Sequence, residues 1–398
     1  MRLIGNKTKL LGQIEGFLAE RGVHEGSFLD VFAGTASVGR HFRRLGFTVH
    51  TNDLLAASYA RQRATVTLGR CPRLKGVLEL PEVQTFLASD PGRAALDACV
   101  APTGAPKDLR RVVAFLNAGL APRSGFMSEH YAEGGRGGRL FFSRENGARI
   151  DAVHDRLCAW REARVLDEDG FFLLLSALLD AADRVANISG TYGAFLKKLQ
   201  KSATDPLTLK VPELEPSLPR GVAHRRDANQ LVRELRVDVI YMDPPYNQRQ
   251  YVKNYHVLEV LAELHEVTDR AAYAQGIYGK TGLREFPQRL SAYCRRGRGI
   301  CREAFRDLVH GAQAEHLVIS YSEEGILSRE DIGSALAEAC GQRRYDYARD
   351  HATIDYKRFR SDGDDARSYR VLDGRARDQV HEWLFYARKP RRLLRKAG

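Results

Sequence analysis

Val237-Asp238-Val239-Ile240-Tyr241-Met242-Asp243-Pro244-Pro245-Tyr246 is the stretch on which the reading of this 398-residue chain turns. Five of its first six residues are apolar or aromatic, the run is short and β-branched residues are prominent, which suits a strand covered on both faces. Proline cannot donate to a β-ladder, so the double proline ends the strand and turns its carboxyl end into a loop. In open α/β sheets that edge is where ligands bind.

The four residues after the strand have a chemistry of their own. An aromatic amine is a poor nucleophile because its lone pair is delocalised into the ring. Two acceptors, each taking one amine hydrogen, return electron density to nitrogen and orient it. Asp243 supplies a carboxylate and Pro244 a carbonyl, while Pro245 stiffens the turn. Tyr246 offers a ring on which a base removed from its helix can stack. The same tetrapeptide, taken alone, also fits an ordinary turn in which Asp243 caps a backbone N–H and Tyr246 packs.

The matching half of a group-transfer site lies near the amino terminus. Ser27-Phe28-Leu29-Asp30-Val31-Phe32-Ala33-Gly34-Thr35-Ala36-Ser37-Val38-Gly39 reads as a strand, a small-residue turn and a helix running through Leu45. Gly34 permits the tight turn, and the small residues let a ligand approach the backbone at the helix's amino end. The next apolar run, Phe47 to His50, ends at Asn52-Asp53. Asp53 stands where a carboxylate binds the ribose hydroxyls of a nucleoside cofactor, or it caps a helix. Upstream, Gly5-Asn6-Lys7 places a cation where it reaches a cofactor carboxylate, although a single lysine near a terminus is usually solvated. Asp227, after the short strand-like Val222 to Arg226, either accepts from a cofactor amine or caps the helix Ala228 to Leu235.

Nearly two hundred residues separate Asp53 from the strand before Asp243, far more than one crossover needs. The organisation expected is therefore a catalytic part over residues 1–65, an inserted, mainly helical region over 66–219, and a second catalytic part over 220–398. Helical pieces are predicted at Val112 to Asn117, Ser143 to Trp160 and Phe171 to Val185. The insertion carries a glycine-rich basic loop, Glu133 to Arg139, and closes in a proline-punctuated stretch, Lys201 to Gly221, that reads as an extended linker. Beyond Asp243, helices at Tyr255 to His265 and Ser328 to Cys340 alternate with strand-like runs at His316 to Tyr321 and Glu382 to Tyr386. That alternation argues for a doubly wound α/β sheet.

Lys and Arg exceed Asp and Glu by 62 to 50, a net charge of +12 that favours a polyanionic partner. Basic residues gather at Arg295-Arg296-Gly297-Arg298 and from Arg388 to Lys396, on a nucleic-acid backbone or as a solvated tail. Six cysteines without CxxC or zinc spacing read as reduced thiols, and no metal site is expected. No signal-like or membrane-spanning run is evident, so the expected location is cytoplasmic, with a monomer the simpler expectation.

Taken together, the glycine-lysine segment, the Phe-x-Gly turn, the acidic strand end, the long insertion and Asp-Pro-Pro-Tyr resemble the N6-adenine DNA methyltransferases of the alpha group. Further matches at Tyr246 to Tyr251, Asn254-Tyr255-His256, Gly279 to Arg284, Ile319 to Ser322, Phe126 to Tyr131 and Tyr192 to Lys198 look like the modification methylases of restriction-modification systems. The resemblance implies S-adenosylmethionine as methyl donor, held on a Rossmann-like sheet by Leu3, Asn6, Lys7, Asp30, Phe32, Gly34, Asp53 and Asp227. It implies Asp243, Pro244, Pro245 and Tyr246 around a flipped adenine, and double-stranded DNA as partner, with a cognate endonuclease possible. Expected DNA contacts are Arg136, Arg139, Arg249, Tyr251, Lys280 and Arg284, with the insertion as target-recognition region or else a cap that reads no sequence. Two departures stand out: Ala36 where a second glycine is common, and Leu3 where related enzymes often carry an aromatic ring. The competing readings are an RNA base-amine methyltransferase and a DNA-binding protein on an inactive methyltransferase scaffold.

Overall fold

A computed structural model describes residues 7–215, 218–295, 297–357 and 379–394. The expected sites Leu3 and Asn6, and Arg296, Arg395 and Lys396 of the basic clusters, lie outside the described residues. Two compact units are present, one holding the described residues of Leu3–Tyr59, Pro219–Tyr251 and Pro287–Gly398, the other those of Ala60–Leu218 and Val252–Phe286.

The first unit is built on a seven-stranded sheet. Its strands are β1 (Ser27–Asp30), β2 (Thr48–Asn52), β3 (Val222–His224), β4 (Arg236–Met242), β5 (Gln313–Ser322), β6 (His351–Lys357) and β7 (Gln379–Arg388). The spatial order is β3-β2-β1-β4-β5-β7-β6. The first five strands run parallel, and β7 lies antiparallel between β5 and β6. β4 sits at the centre because its side chains can be buried on both faces: Val237 and Val239 to Met242 are all buried. Asp238, its one charged interior residue, reaches the amino end of β1, where its Oδ2 accepts from Ser27 N and Ser27 Oγ, each at 2.7 Å.

Alternation along the strands sorts the two faces. Leu29, Ile240, Leu317 and Ile319 pack with Leu231, Leu308 and Leu336, so the helices Ala228–Glu234, Ile300–Gly311 and Arg329–Ala339 share one core with the sheet. Phe28 and Tyr241 serve another cluster, in which Phe28 stacks on Phe42 of the helix Ser37–Arg44 at 4.2 Å and meets Phe47 edge-on. The strand after Arg349 was not foreseen. β6 reads His-Ala-Thr-Ile-Asp-Tyr-Lys, and as an edge strand it carries too few apolar side chains for its pattern to stand out.

The basic tail stays largely exposed along its described length, with Arg388, Arg391 and Arg392 all at the surface, but part of it is tied to the sheet. Arg388 and Arg391 both pair with Glu315, at 2.6 and 3.0 Å. Lys389 is 3% exposed and donates to the carbonyls of His310 and Ala312, at 2.8 and 2.9 Å, satisfying the carboxyl end of the helix Ile300–Gly311.

In the second unit the three predicted helices form as Lys107–Ala118, Arg144–Glu162 and Glu168–Arg184. Each starts before the apolar run does, because Ser143 and Asp167 cap the latter two: their side chains accept from Asn146 N and Gly170 N. His256–Glu263 belongs to the same unit, as does a small hairpin of Ile277–Tyr278 and Leu283–Arg284. The proline-punctuated stretch is docked rather than a free linker. Asn146 Nδ2 donates to Ala203 and Asp205 while its Oδ1 accepts from Leu207 N, and Asn117 makes the equivalent pair of bonds to Leu209. Leu207, Leu209 and Val211 are buried in consequence. Among the described residues no helix is long and apolar enough to cross a membrane.

Candidate active site

Because β1, β2 and β4 run parallel, their carboxyl ends bring Asp30, Asp53 and Asp243 to one edge of the sheet. Asp243, the first residue past β4, has a side chain 16% exposed. Lys7 Nζ lies 3.1 Å from Asp243 Oδ1 and 2.9 Å from Glu382 Oε1, and the lysine is 5% exposed. The expectation of a solvated lysine, or of one free to meet a cofactor carboxylate, therefore gives way to an ammonium held between two carboxylates of the protein. An ammonium this deep requires such partners, since an unpaired buried charge costs several kcal/mol.

Burial pushes the Asp243 carboxyl up to about 7, against the pull of the Lys7 ammonium, and Glu382 adds to the rise. Burial alone would depress Lys7, yet Asp243 and then Glu382 hold it well above its ordinary value. The loop after Asp243 is fixed at both ends: Ile326 N donates to Tyr246 O at 3.1 Å, and the Gln250 side chain exchanges two bonds with the Ser291 backbone at 2.9 and 2.7 Å. Tyr246 is only partly buried, with one part of its ring on the core beside β4.

At the end of β1, Ala33 N donates to Asn52 O at 2.8 Å and the chain then turns through Gly34 and Ala36, both at positive φ of 49° and 61°. The methyl group of Ala36 is buried, so it packs under the turn. Asp53 does two jobs here. Its Oδ2 accepts from Gly34 N at 2.8 Å, fixing the turn, while Oδ1 accepts from Leu55 N at 2.9 Å. Asp30 Oδ2 accepts from Gly39 N at 3.1 Å, tying β1 to the helix Ser37–Arg44. Burial pushes Asp30 up to about 8 and raises Asp53 as well, with Asp243 and Asp53 both adding to the rise at Asp30. Asp227 is exposed and caps its helix, accepting from Gln230 N at 3.0 Å. Phe32 meets the buried Tyr293 edge-on at 5.1 Å, and the Tyr293 hydroxyl donates to Asn229.

Two site residues escaped the sequence. Glu382 opens the apolar run Glu-Trp-Leu-Phe-Tyr, and a carboxylate inside a buried strand signals a paired charge, but its partner is 375 positions away. Tyr293 sits in a short 3-10 turn with no periodic signal.

The expected DNA contacts divide. In the second unit, the Arg139 guanidinium donates to the carbonyls of His130, Gly279 and Lys280 at 3.0 to 3.2 Å, clamping the hairpin to the glycine-rich loop. Arg284 lies 3.5 Å over the Tyr273 ring and donates to Tyr273 O. Both arginines are partly buried and engaged within their own unit. Arg136 and Lys280 are exposed, the former paired with Glu129. In the first unit Arg249 is exposed and Tyr251 partly buried.

Residues 3–294 match the family described as D12 class N6 adenine-specific DNA methyltransferase. The chain belongs to this family. It is 33% identical to the Type II methyltransferase M.NlaIII of Neisseria lactamica over 93% of this chain and 96% of that protein. Identity to the Type II methyltransferase M.FokI of Planomicrobium okeanokoites is 30% over 98% of this chain, and to the modification methylase StsI of Streptococcus sanguinis 28% over the same share. The chain spans about half the length of those two, 53% and 52%. No solved structure matches significantly. As a D12 enzyme it transfers methyl groups to adenine in DNA, and the class implies S-adenosylmethionine as donor.

Proposed function

We propose that this methyltransferase is the modification enzyme of a restriction-modification system, acting on the N6 amine of an adenine flipped from double-stranded DNA and accompanied by a cognate endonuclease. The carrying observation is the division of the Asp243 carboxylate. Among the described residues its one hydrogen-bonding contact is Lys7 on Oδ1, which leaves Oδ2 to accept an amine hydrogen. The Pro244 carbonyl takes the other hydrogen, and the two acceptors aim the nitrogen lone pair. A carboxyl group lifted to about 7 is also a stronger acceptor than an ordinary carboxylate, so it meets the positive charge that develops on nitrogen. Tyr246, partly buried beside the same loop, offers an aromatic ring for stacking on the base. With S-adenosylmethionine bound, the oriented nitrogen would take the methyl group as its bond to sulfur breaks, the sulfur leaving as a neutral thioether and the amine proton passing to solvent.

The strand ends suit a cationic nucleoside. Asp30, Asp53 and Asp243 are three carboxyl groups raised by burial, whose charged forms a sulfonium and an α-ammonium group would favour. When bound, S-adenosylmethionine supplies an electrophilic methyl group. Phe32, Gly34 and Asp53 would hold it, Tyr293 backing Phe32 in place of the aromatic missing at position 3. The helical unit, with exposed Arg136 and Lys280, is assigned to target recognition.

The test is transfer of labelled methyl from S-adenosylmethionine to double-stranded DNA, followed by modification-sensitive sequencing of genomic DNA from a methylation-free host. N6-methyladenine at one recurring sequence is expected. Label appearing in RNA instead would establish the RNA reading, and DNA binding without transfer would establish an inactive scaffold.

A further inference from the structure

Glu382 has no part in the reaction as derived so far, yet it is 1% exposed and lies against the reacting carboxylate's own partner. It stands on β7 opposite Ser322 of β5 and Ile354 of β6. Ser320 Oγ donates to Glu382 Oε1, the same oxygen that Lys7 approaches at 2.9 Å. The charged and titratable groups around this cluster are Lys7, Asp243, Glu382 and Tyr241, with Asp30 close enough to sense Asp243. One ammonium is thus divided between two buried carboxylates, and the geometry decides how.

Both lysine contacts are hydrogen-bonding distances, so Glu382 shares the ammonium with Asp243, which the lysine meets at Oδ1. A lysine lacking this anchor has three donors and a flexible stem with which to cover both oxygens of Asp243. Glu382 also withdraws part of the lysine's charge from Asp243 and adds its own negative charge nearby, which keeps Asp243 a more basic acceptor than a simple Lys–Asp pair would.

We propose that Glu382 is a positioning residue for methyl transfer, which through Lys7 selects the free oxygen of Asp243 and sets the pH at which Asp243 becomes a competent acceptor. This rests on the amine-orienting reading of Asp243. The test compares rate–pH profiles of the full chain with those of Glu382→Gln, which keeps an acceptor for Lys7 and Ser320 but removes the charge. The acid limb of kcat is expected to move about one pH unit lower, with plateau kcat reduced several-fold and KM for cofactor and DNA little changed. Glu382→Asp, a milder change, keeps the charge but draws it one methylene back from Lys7 and Asp243, and moves the limb in the same direction by less. It carries the test if the glutamine variant does not fold. An unmoved acid limb in a folded variant overturns the proposal. Asp243→Ala separates the two levels: if it stays active the reading of Asp243 falls, whereas if it is inactive and the limb is unmoved, only the role of Glu382 falls.

Discussion

Replacing Lys7 by methionine removes one charge and leaves two carboxylates facing each other in the interior. Breaking a buried pair by removing one partner typically costs about 3–5 kcal/mol. Here the cost has a ceiling, because a stranded carboxylate can take up a proton instead. Protonating a group whose unfolded pKa is about 3.9 costs about 1.4 kcal/mol for each pH unit above that value, hence about 5 kcal/mol near pH 7.5 and about 1.5 near pH 5. With Asp243 already lifted to about 7 in the unaltered enzyme, about 4 kcal/mol of that cost is present before the change, so through Asp243 the Lys7→Met variant is expected to lose about 1 kcal/mol more near pH 7.5 and close to nothing more near pH 5. The sign is that of an acid whose folded-state pKa is raised above its unfolded value: stability is lost as pH rises. Chemical denaturation of the unit containing the sheet, followed by near-ultraviolet circular dichroism at the two pH values, measures the difference. Equal destabilisation at both pH values would refute the picture of an ammonium bridging two buried carboxylates. Methyl transfer by this variant should also fail near neutrality, since Asp243 then carries a proton on an oxygen that must accept.

Asp243→Ala should lower kcat by at least about 10³-fold while cofactor affinity, read by calorimetry, changes little, because the residue's contribution is to orienting the amine. In the unaltered enzyme the rate should fall as pH drops through about 7, where Asp243 takes up a proton and ceases to accept; a flat profile from about pH 5 to 8 counts against that assignment. Arg139→Ala should loosen the hairpin around Gly279–Gly282, seen as faster hydrogen exchange there, at a cost of about 1–3 kcal/mol for its lost carbonyl partners. Lys280→Ala should leave that exchange unchanged and reduce the salt dependence of DNA binding by about one unit of slope; the reverse pattern would exchange the two roles.

The sequence was most informative where function requires local chemistry. Asp-Pro-Pro-Tyr after a buried run, and a small-residue turn between Asp30 and Gly39, are each set by neighbours a few residues apart, so spacing alone locates them. The strands β4 and β5 were legible for the same reason, their burial on both faces writing largely apolar runs into the chain. Residues with one visible face or a remote partner were not: β6 carries edge-strand polarity, and Arg139 and Arg284 look like phosphate contacts until their carbonyl partners are seen.

By itself, then, the sequence determined that Asp243 follows a central strand and that a small-residue turn lies at the end of another, because backbone constraints and short-range patterns encode both. Only the tertiary structure decided what Asp243 is. Lys7 comes from the start of the chain and Glu382 from near its end, and the sheet order sets β4, β5 and β7 side by side so that one ammonium joins two carboxylates. Burial turns that meeting into chemistry, lifting a carboxylate toward neutrality in a way no spacing in the sequence records.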